Sequence, residues 1–217
     1  MTMAHTTQLK PTIDERKREL RHELLAQRRY MTASERIAAG ERCADALFAL
    51  PLFSRPRTAP LTMACHVSMG TEISTLQILN EAAARGIHLL VPRLGSGNEV
   101  GWSRLTSPEE VATLRHEHAG GHGRMPHPDE PHTAVLPPET LGEAEIIVLP
   151  ALAVDREGGR LGRGAAWYDR ALGFAPASAQ RIAMCWASEF VDEPLPTQPH
   201  DVPVDAVLTP QGLIFIQ

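Results

Sequence analysis

Residues 145–170 read EIIVLPALAVDREGGRLGRGAAWYDR, and this stretch decides the fold. Residues 145–150, EIIVLP, are the clearest strand in the chain. The glycine-rich segment GGRLGRG follows at 158–164, and a helix is predicted from about residue 165 to 172. A strand in such a unit delivers the chain to the carboxyl edge of a sheet, where α/β proteins bind ligands. Gly158, Gly159, Gly162 and Gly164 permit positive φ and bring backbone N–H groups close together. The following helix would turn the positive end of its dipole toward an anion. Arg160 and Arg163 add planar donors that suit phosphate oxygens. These are the parts of a polyphosphate cradle, and an exposed hairpin turn is the competing reading. The segment is neither a Walker A loop, since Gly-Lys-Ser/Thr is missing, nor GxGxxG.

Outward from this unit, the pattern stays α/β. Thr12-Ile13-Asp14-Glu15 and Thr32-Ala33-Ser34-Glu35 read as capping boxes opening two helices, to about residue 29 and to about residue 50 before Pro51. The first carries a thin apolar stripe of Ile13, Leu20, Leu24 and Leu25 on a highly charged segment. LTMACHV (61–67) is a buried strand, Ser74 starts a helix that Gly86 ends, and IHLLVP (87–92) is the next strand. That spacing argues for a parallel sheet flanked by helices. VGWSRL (100–105) is a weaker strand, and 116–143 reads as a long irregular loop. RIAMCWA (181–187), AVLTP (206–210) and LIFIQ (213–217) are further strands, the last two joined by the turn Pro210-Gln211-Gly212.

The 217 residues carry a net charge of −5, and 43% are apolar. No basic excess exists to neutralise a phosphate backbone, which disfavours nucleic acid as a partner. Cys43, Cys65 and Cys185 form no CxxC pair, which argues against a disulfide framework and a zinc ribbon and fits a reducing compartment. Residues 1–11 read as a flexible polar tail without the apolar core of a signal peptide, and 12–217 as one domain. No apolar run reaches the length of a membrane span. The expectation is a cytoplasmic monomer acting on small molecules, with neither membrane nor nucleic acid as a partner.

Two further features can carry chemistry. Lys17 and Arg21, one helical turn apart, share a face that could lie over a phosphate tail or simply face water. Glu72, just past the first strand, could accept hydrogen bonds from an amine-rich ring or cap the next helix. HEHAGGHGRMPHPDEPH (116–132) holds five of the ten histidines, but its spacing matches no zinc motif.

Taken together, these residues resemble 5-formyltetrahydrofolate cyclo-ligase over nearly the whole chain. KRELRHELLAQRRYMTASER resembles the family's K-x-x-L-R opening, GTEIST its E-[IV]-x-T segment, and VPR (91–93) a strand end. LPALAVDREGGRLGRGAAWYDRAL resembles the signature P-[GA]-L-A-F-D-x-x-G-x-R-L-G-R-G-x-G-Y-Y-D-R. HDVPVDAVLTPQGLI (200–214) resembles the H-D-x-x-V-D ending. The resemblance implies an open, mostly parallel α/β sheet similar to the NagB/RpiA/CoA-transferase group. It implies conversion of 5-formyltetrahydrofolate and ATP into 5,10-methenyltetrahydrofolate, ADP and phosphate, with Mg²⁺. It assigns Lys17, Arg21, Arg160, Gly162, Arg163, Gly164 and Tyr168 to ATP, with Arg163 catalytic. Glu72 and Trp167 fall to the folate, and Asp169 and Asp201 to Mg²⁺.

The sequence departs from the pattern in three places, the first being the family's acidic-proline turn, replaced by His127-Pro128 or supplied by Glu130-Pro131. Gly164-Ala165-Ala166-Trp167-Tyr168 replaces Gly-x-Gly-Tyr-Tyr, and Ala165 and Ala166 are expected to form the first turn of a helix, where alanine is favoured. CHVS stands where a tyrosine usually follows the first strand. Two other readings share the same residues: a non-catalytic relative that binds a nucleotide or RNA, and an ATP-dependent enzyme acting on another pterin.

Overall fold

The computed structural model describes residues 11–93, 99–115 and 133–217. The histidine-rich segment 116–132 and all but the last residue of the expected tail lie outside them.

Both capping boxes form. α1 (Ile13–Arg28) begins at Thr12, whose hydroxyl accepts the Glu15 N–H while the Glu15 carboxylate accepts the Thr12 N–H. α2 (Ala33–Phe48) repeats this with Thr32 and Glu35. After a 3-10 turn over Pro51–Ser54 come β1 (Thr62–Cys65), α3 (Leu76–Ala84) and β2 (His88–Arg93). α3 starts two residues later than expected, because Ser68 and Thr75 exchange hydrogen bonds across the preceding loop. Next are β3 (Gly101–Leu105) and a short helix that the sequence pattern had not suggested, α4 (Pro108–Ala112), capped by Ser107. Within the expected irregular loop, Leu136 bridges to Trp102, and Pro138–Glu143 is a 3-10 turn. The chain continues through β4 (Ile146–Pro150), β5 (Ala153–Asp155), β6 (Arg160–Leu161), α5 (Trp167–Ala171), β7 (Gln180–Met184), β8 (Phe190–Val191), β9 (Ala206–Thr209) and β10 (Gly212–Phe215).

Seven strands form an open sheet in the order β10-β9-β7-β4-β1-β2-β3. The inner pairs are parallel, and β3 and β10 close the two edges antiparallel to their neighbours. Alternation along the strands divides the core in two. Met63, Leu89, Val148, Ile182 and Leu208 pack under α2 and α3 against Leu47, Ile78 and Leu79. Ala64, Leu90, Ile147, Leu149, Ala183 and Val207 face Trp102, Leu141, Trp167 and Leu172. The three cysteines are free and buried within these layers.

The parallel strands β1, β4, β7 and β9 all end at one edge. Around it sits a small second sheet, β6-β5-β8. α1 also reaches this edge, and it packs differently from the expected apolar stripe. Ile13 is 45% exposed, Leu20, Leu24 and Leu25 are only half-buried, and the buried residues are Lys17 and Arg28. The inward side of α1 is therefore cationic, and ion pairs and hydrogen bonds, more than apolar burial, hold it in place.

Candidate active site

The glycine-rich segment divides into two parts. Gly158 and Gly159 make the tight turn of the β5–β6 hairpin, and Asp155 organises it by accepting N–H bonds from Glu157, Gly159 and Leu195. Gly158 has φ +83°, and a Cβ there would stand 2.5 Å from the Val204 carbonyl oxygen. This half of the expected cradle is thus a hairpin turn, but its glycines are buried against the β9 approach rather than exposed. The second half, residues 160–164, carries the polar groups toward the carboxyl edge.

Four basic side chains converge there. The Lys17 ammonium donates to Asp201 at 2.5 Å, one helical turn from Arg21. The Arg21 Nε donates to the Gly162 carbonyl at 2.8 Å, and the Arg21 guanidinium lies beside Gly164, whose φ is +101°. Arg160 pairs with Asp169 at 2.9 Å and also donates to the Pro150 carbonyl. Arg163 pairs with Glu72 at 3.0 Å, and the other Glu72 oxygen accepts the Met69 N–H. Arg163, expected at the phosphates, and Glu72, expected at the folate, are therefore direct neighbours.

Among the described residues, the buried donors with no partner include the Arg160 Nε and the Tyr168 hydroxyl at this edge. An unanswered buried donor costs about 1–3 kcal/mol, so both suit a polar ligand. Burial first, then nearby Cys65 and Glu72, push the Tyr168 phenol well above its usual range, so it remains a donor. Trp167 is only 7% exposed, with its ring against Trp102 and Tyr168 and its indole N–H donated to the Glu99 carbonyl.

Asp169 and Asp201 offer no protein-built Mg²⁺ cage. Each faces a cation, and among the described residues no three His, Cys, Asp or Glu side chains gather. Burial pushes the Asp201 carboxyl up, but bonds from Lys17 and the Gln198 N–H outweigh it and hold the carboxyl below the usual range. A cavity of about 540 Å³ lies elsewhere, lined by Arg55, Arg57 and Ile87 at the amino ends of β1 and β2.

The residues at 165–166 correct an expectation. The helix begins at Trp167, and Ala166 precedes it in the left-handed region at φ 49°, ψ 22°. The chain must reverse sharply after Gly164, and that requirement overrides alanine's helical preference. The five-residue α5 also presents no extended dipole to an anion. Left-handed alanine costs about 1 kcal/mol. Ala166→Gly is therefore expected to raise the thermal midpoint by a few degrees, with turnover retained. A lower midpoint in a melting experiment would show that Ala166 is not strained.

The sequence reading missed a buried pair beside this edge. The Arg28 guanidinium grips both Glu189 oxygens at 2.6 Å and donates to the Ala151 carbonyl at 2.5 Å. Burial pushes the Glu189 carboxyl up, and Arg28 and the Trp186 N–H pull against it.

The comparisons with known proteins agree on one group. The sequence model of the 5-formyltetrahydrofolate cyclo-ligase family matches residues 13–210. A 5-formyltetrahydrofolate cyclo-ligase of Mycolicibacterium smegmatis is 36% identical over 210 residues, covering 93% of this chain and 97% of that protein. The Mus musculus protein of the same name is 28% identical over 204 residues, covering 91% and 95%. The NMR structure of Aquifex aeolicus 5,10-methenyltetrahydrofolate synthetase superposes with a TM-score of 0.71 at 25% identity, covering 93% of each chain.

Proposed function

The chain belongs to the 5-formyltetrahydrofolate cyclo-ligase family, and from that premise we propose how its carboxyl edge carries out the family's reaction. The reaction is the ATP-dependent cyclisation of 5-formyltetrahydrofolate to 5,10-methenyltetrahydrofolate, with release of ADP and phosphate. The observation that carries the assignment is the convergence of Lys17, Arg21, Arg160 and Arg163 on one sheet edge beside a buried carboxylate, Glu72.

In this reading ATP is a co-substrate. Lys17, Arg21 and Arg160 hold its phosphates, and the backbone of Gly162 and Gly164 lets the chain run close to them. Arg163 faces the phosphoryl group as it passes to the formyl oxygen, where negative charge builds up. Glu72 accepts from the pterin, Trp167 walls its pocket, and the Tyr168 hydroxyl supplies a donor. N10 then attacks the activated formyl carbon, and the C–O bond to phosphate breaks. The protein contributes position and charge.

Phosphate oxygens compete with Asp201 and Asp169 for Lys17 and Arg160, so nucleotide binding exchanges ion-pair partners. Mg²⁺ in this proposal enters with the nucleotide, held chiefly by phosphate oxygens and water. The cytoplasm and a monomeric state complete the proposal. Among the described residues, no helix is long and apolar enough to cross a membrane.

The test is the absorbance of the methenyl product, measured with the purified chain with and without ATP. Product that requires ATP is expected. Folded protein that binds ATP yet makes no product at saturating substrate would favour the non-catalytic nucleotide-binding reading.

A further inference from the structure

Cyclisation must dispose of a proton. N10 of the substrate carries a hydrogen and N10 of the methenyl product does not, so the ring closure needs an acceptor.

Most titratable groups at the carboxyl edge are committed. Both oxygens of Glu72 are engaged, by Arg163 and by the Met69 N–H. Asp169 faces Arg160, and Asp201 faces Lys17. Burial keeps the Tyr168 phenol and the Cys65 thiol protonated, well above their usual ranges.

His66 differs from these. It is the first residue past β1, in the CHVS segment where this sequence departs from the family's tyrosine, and it is 3% exposed. Its Nδ1 lies 3.3 Å from the Val148 carbonyl oxygen on β4. A carbonyl oxygen only accepts, so Nδ1 carries the hydrogen and Nε2 keeps its lone pair. Nε2 has no hydrogen-bond partner among the described residues. The charged groups acting on the ring are Glu72, from the loop after β1, and Arg28, from α1. Burial lowers the ring's pKa, Glu72 and the Val148 carbonyl pull it up, Arg28 pushes it down, and the result lies below the ordinary histidine value. The ring is accordingly neutral near pH 7.

We infer that His66 is the base that takes the N10 proton, a role that rests on the cyclo-ligase reading above. The N10 lone pair forms the bond to the formyl carbon, and the N10–H electron pair stays on nitrogen as the proton passes to Nε2. The C–O electron pair leaves with phosphate. The buried imidazolium then gives its proton to the departing phosphate, which restores the neutral ring.

The test is His66→Asn in the full chain. Asparagine can keep an N–H donor toward Val148 but has no basic nitrogen. The expected result is a fall in kcat of about 10²-fold, with KM for ATP and folate within about twofold of wild type. About one equivalent of ADP should appear per protein before methenyl absorbance rises. Wild-type kcat should rise with pH through an apparent pKa below about 6.5, and the variant should lack that limb. Turnover within about threefold of wild type, with the limb intact, would overturn the inference and leave His66 a packing residue. If the asparagine variant does not fold, His66→Phe, which keeps a ring of similar size, is judged by the same outcomes. No methenyl product from the wild type would instead remove the cyclo-ligase reading itself.

Discussion

Arg163→Ala is expected to lower kcat by about 10³-fold while the protein remains folded. The Arg163 side chain is 30% exposed, so its loss leaves little void, and its contacts are with the site: Glu72 at 3.0 Å and the Met69 carbonyl at 3.5 Å. Truncation acts twice. It removes the planar donor that the proposed mechanism sets against the growing phosphoryl charge. It also leaves Glu72, only 6% exposed, with the Met69 N–H as its remaining partner. ATP affinity should fall much less than kcat, because Lys17, Arg21 and Arg160 still provide three cations. Arg163→Lys keeps the charge without the fork and should recover only part of the loss. The check is kcat for product formation beside ATP affinity from calorimetry. Turnover within about threefold of wild type would reduce the Arg163–Glu72 pair to a clasp for the loop.

Arg28→Ala is expected to cost about 3–5 kcal/mol of stability. Arg28 and Glu189 have side chains 3% and 4% exposed, and the arginine also answers the Ala151 carbonyl. Removing the cation leaves a carboxylate in an apolar setting and detaches the end of α1, whose inward side has few apolar contacts to replace it. For a chain of this size the thermal midpoint should fall on the order of 10 °C. Replacing both partners, Arg28→Met with Glu189→Leu, should cost far less, since no charge is then stranded. A melting curve within about 2 °C of wild type for Arg28→Ala would show that α1 is held by other means.

The fold was readable wherever a short stretch holds its own cause. Thr12 with Glu15 and Thr32 with Glu35 satisfy orphan donors within three residues, and both helices start there. Gly86, at φ +70°, ends α3 as its position suggested. Strand direction was less visible: an apolar run looks the same in either sense, so the antiparallel placement of β3 on β2 came only from the structure. The family signature assigns candidate site residues one by one, but it says nothing of their pairings. Arg163 and Glu72 are 91 positions apart, and Arg28 and Glu189 are 161 apart. On a charged segment a buried arginine looks like its solvated neighbours, so Arg28 gave no local sign. Ala166 misled because propensity describes a free helix, whereas the bend after Gly164 is imposed by the elements on either side.

The buried cysteines bear on how the protein meets its chemical surroundings. Only the thiolate is nucleophilic. Burial pushes the Cys43 thiol up to about 12 and the Cys65 and Cys185 thiols further still. The native molecule is thus sheltered from alkylating agents and mild oxidants, and a reagent must wait for the chain to breathe. Cys43 lies on α2, while Cys65 and Cys185 flank the carboxyl edge from the ends of β1 and β7. Their modification rates keep time on three separate openings, and the chain carries its own clocks for local unfolding without an added label.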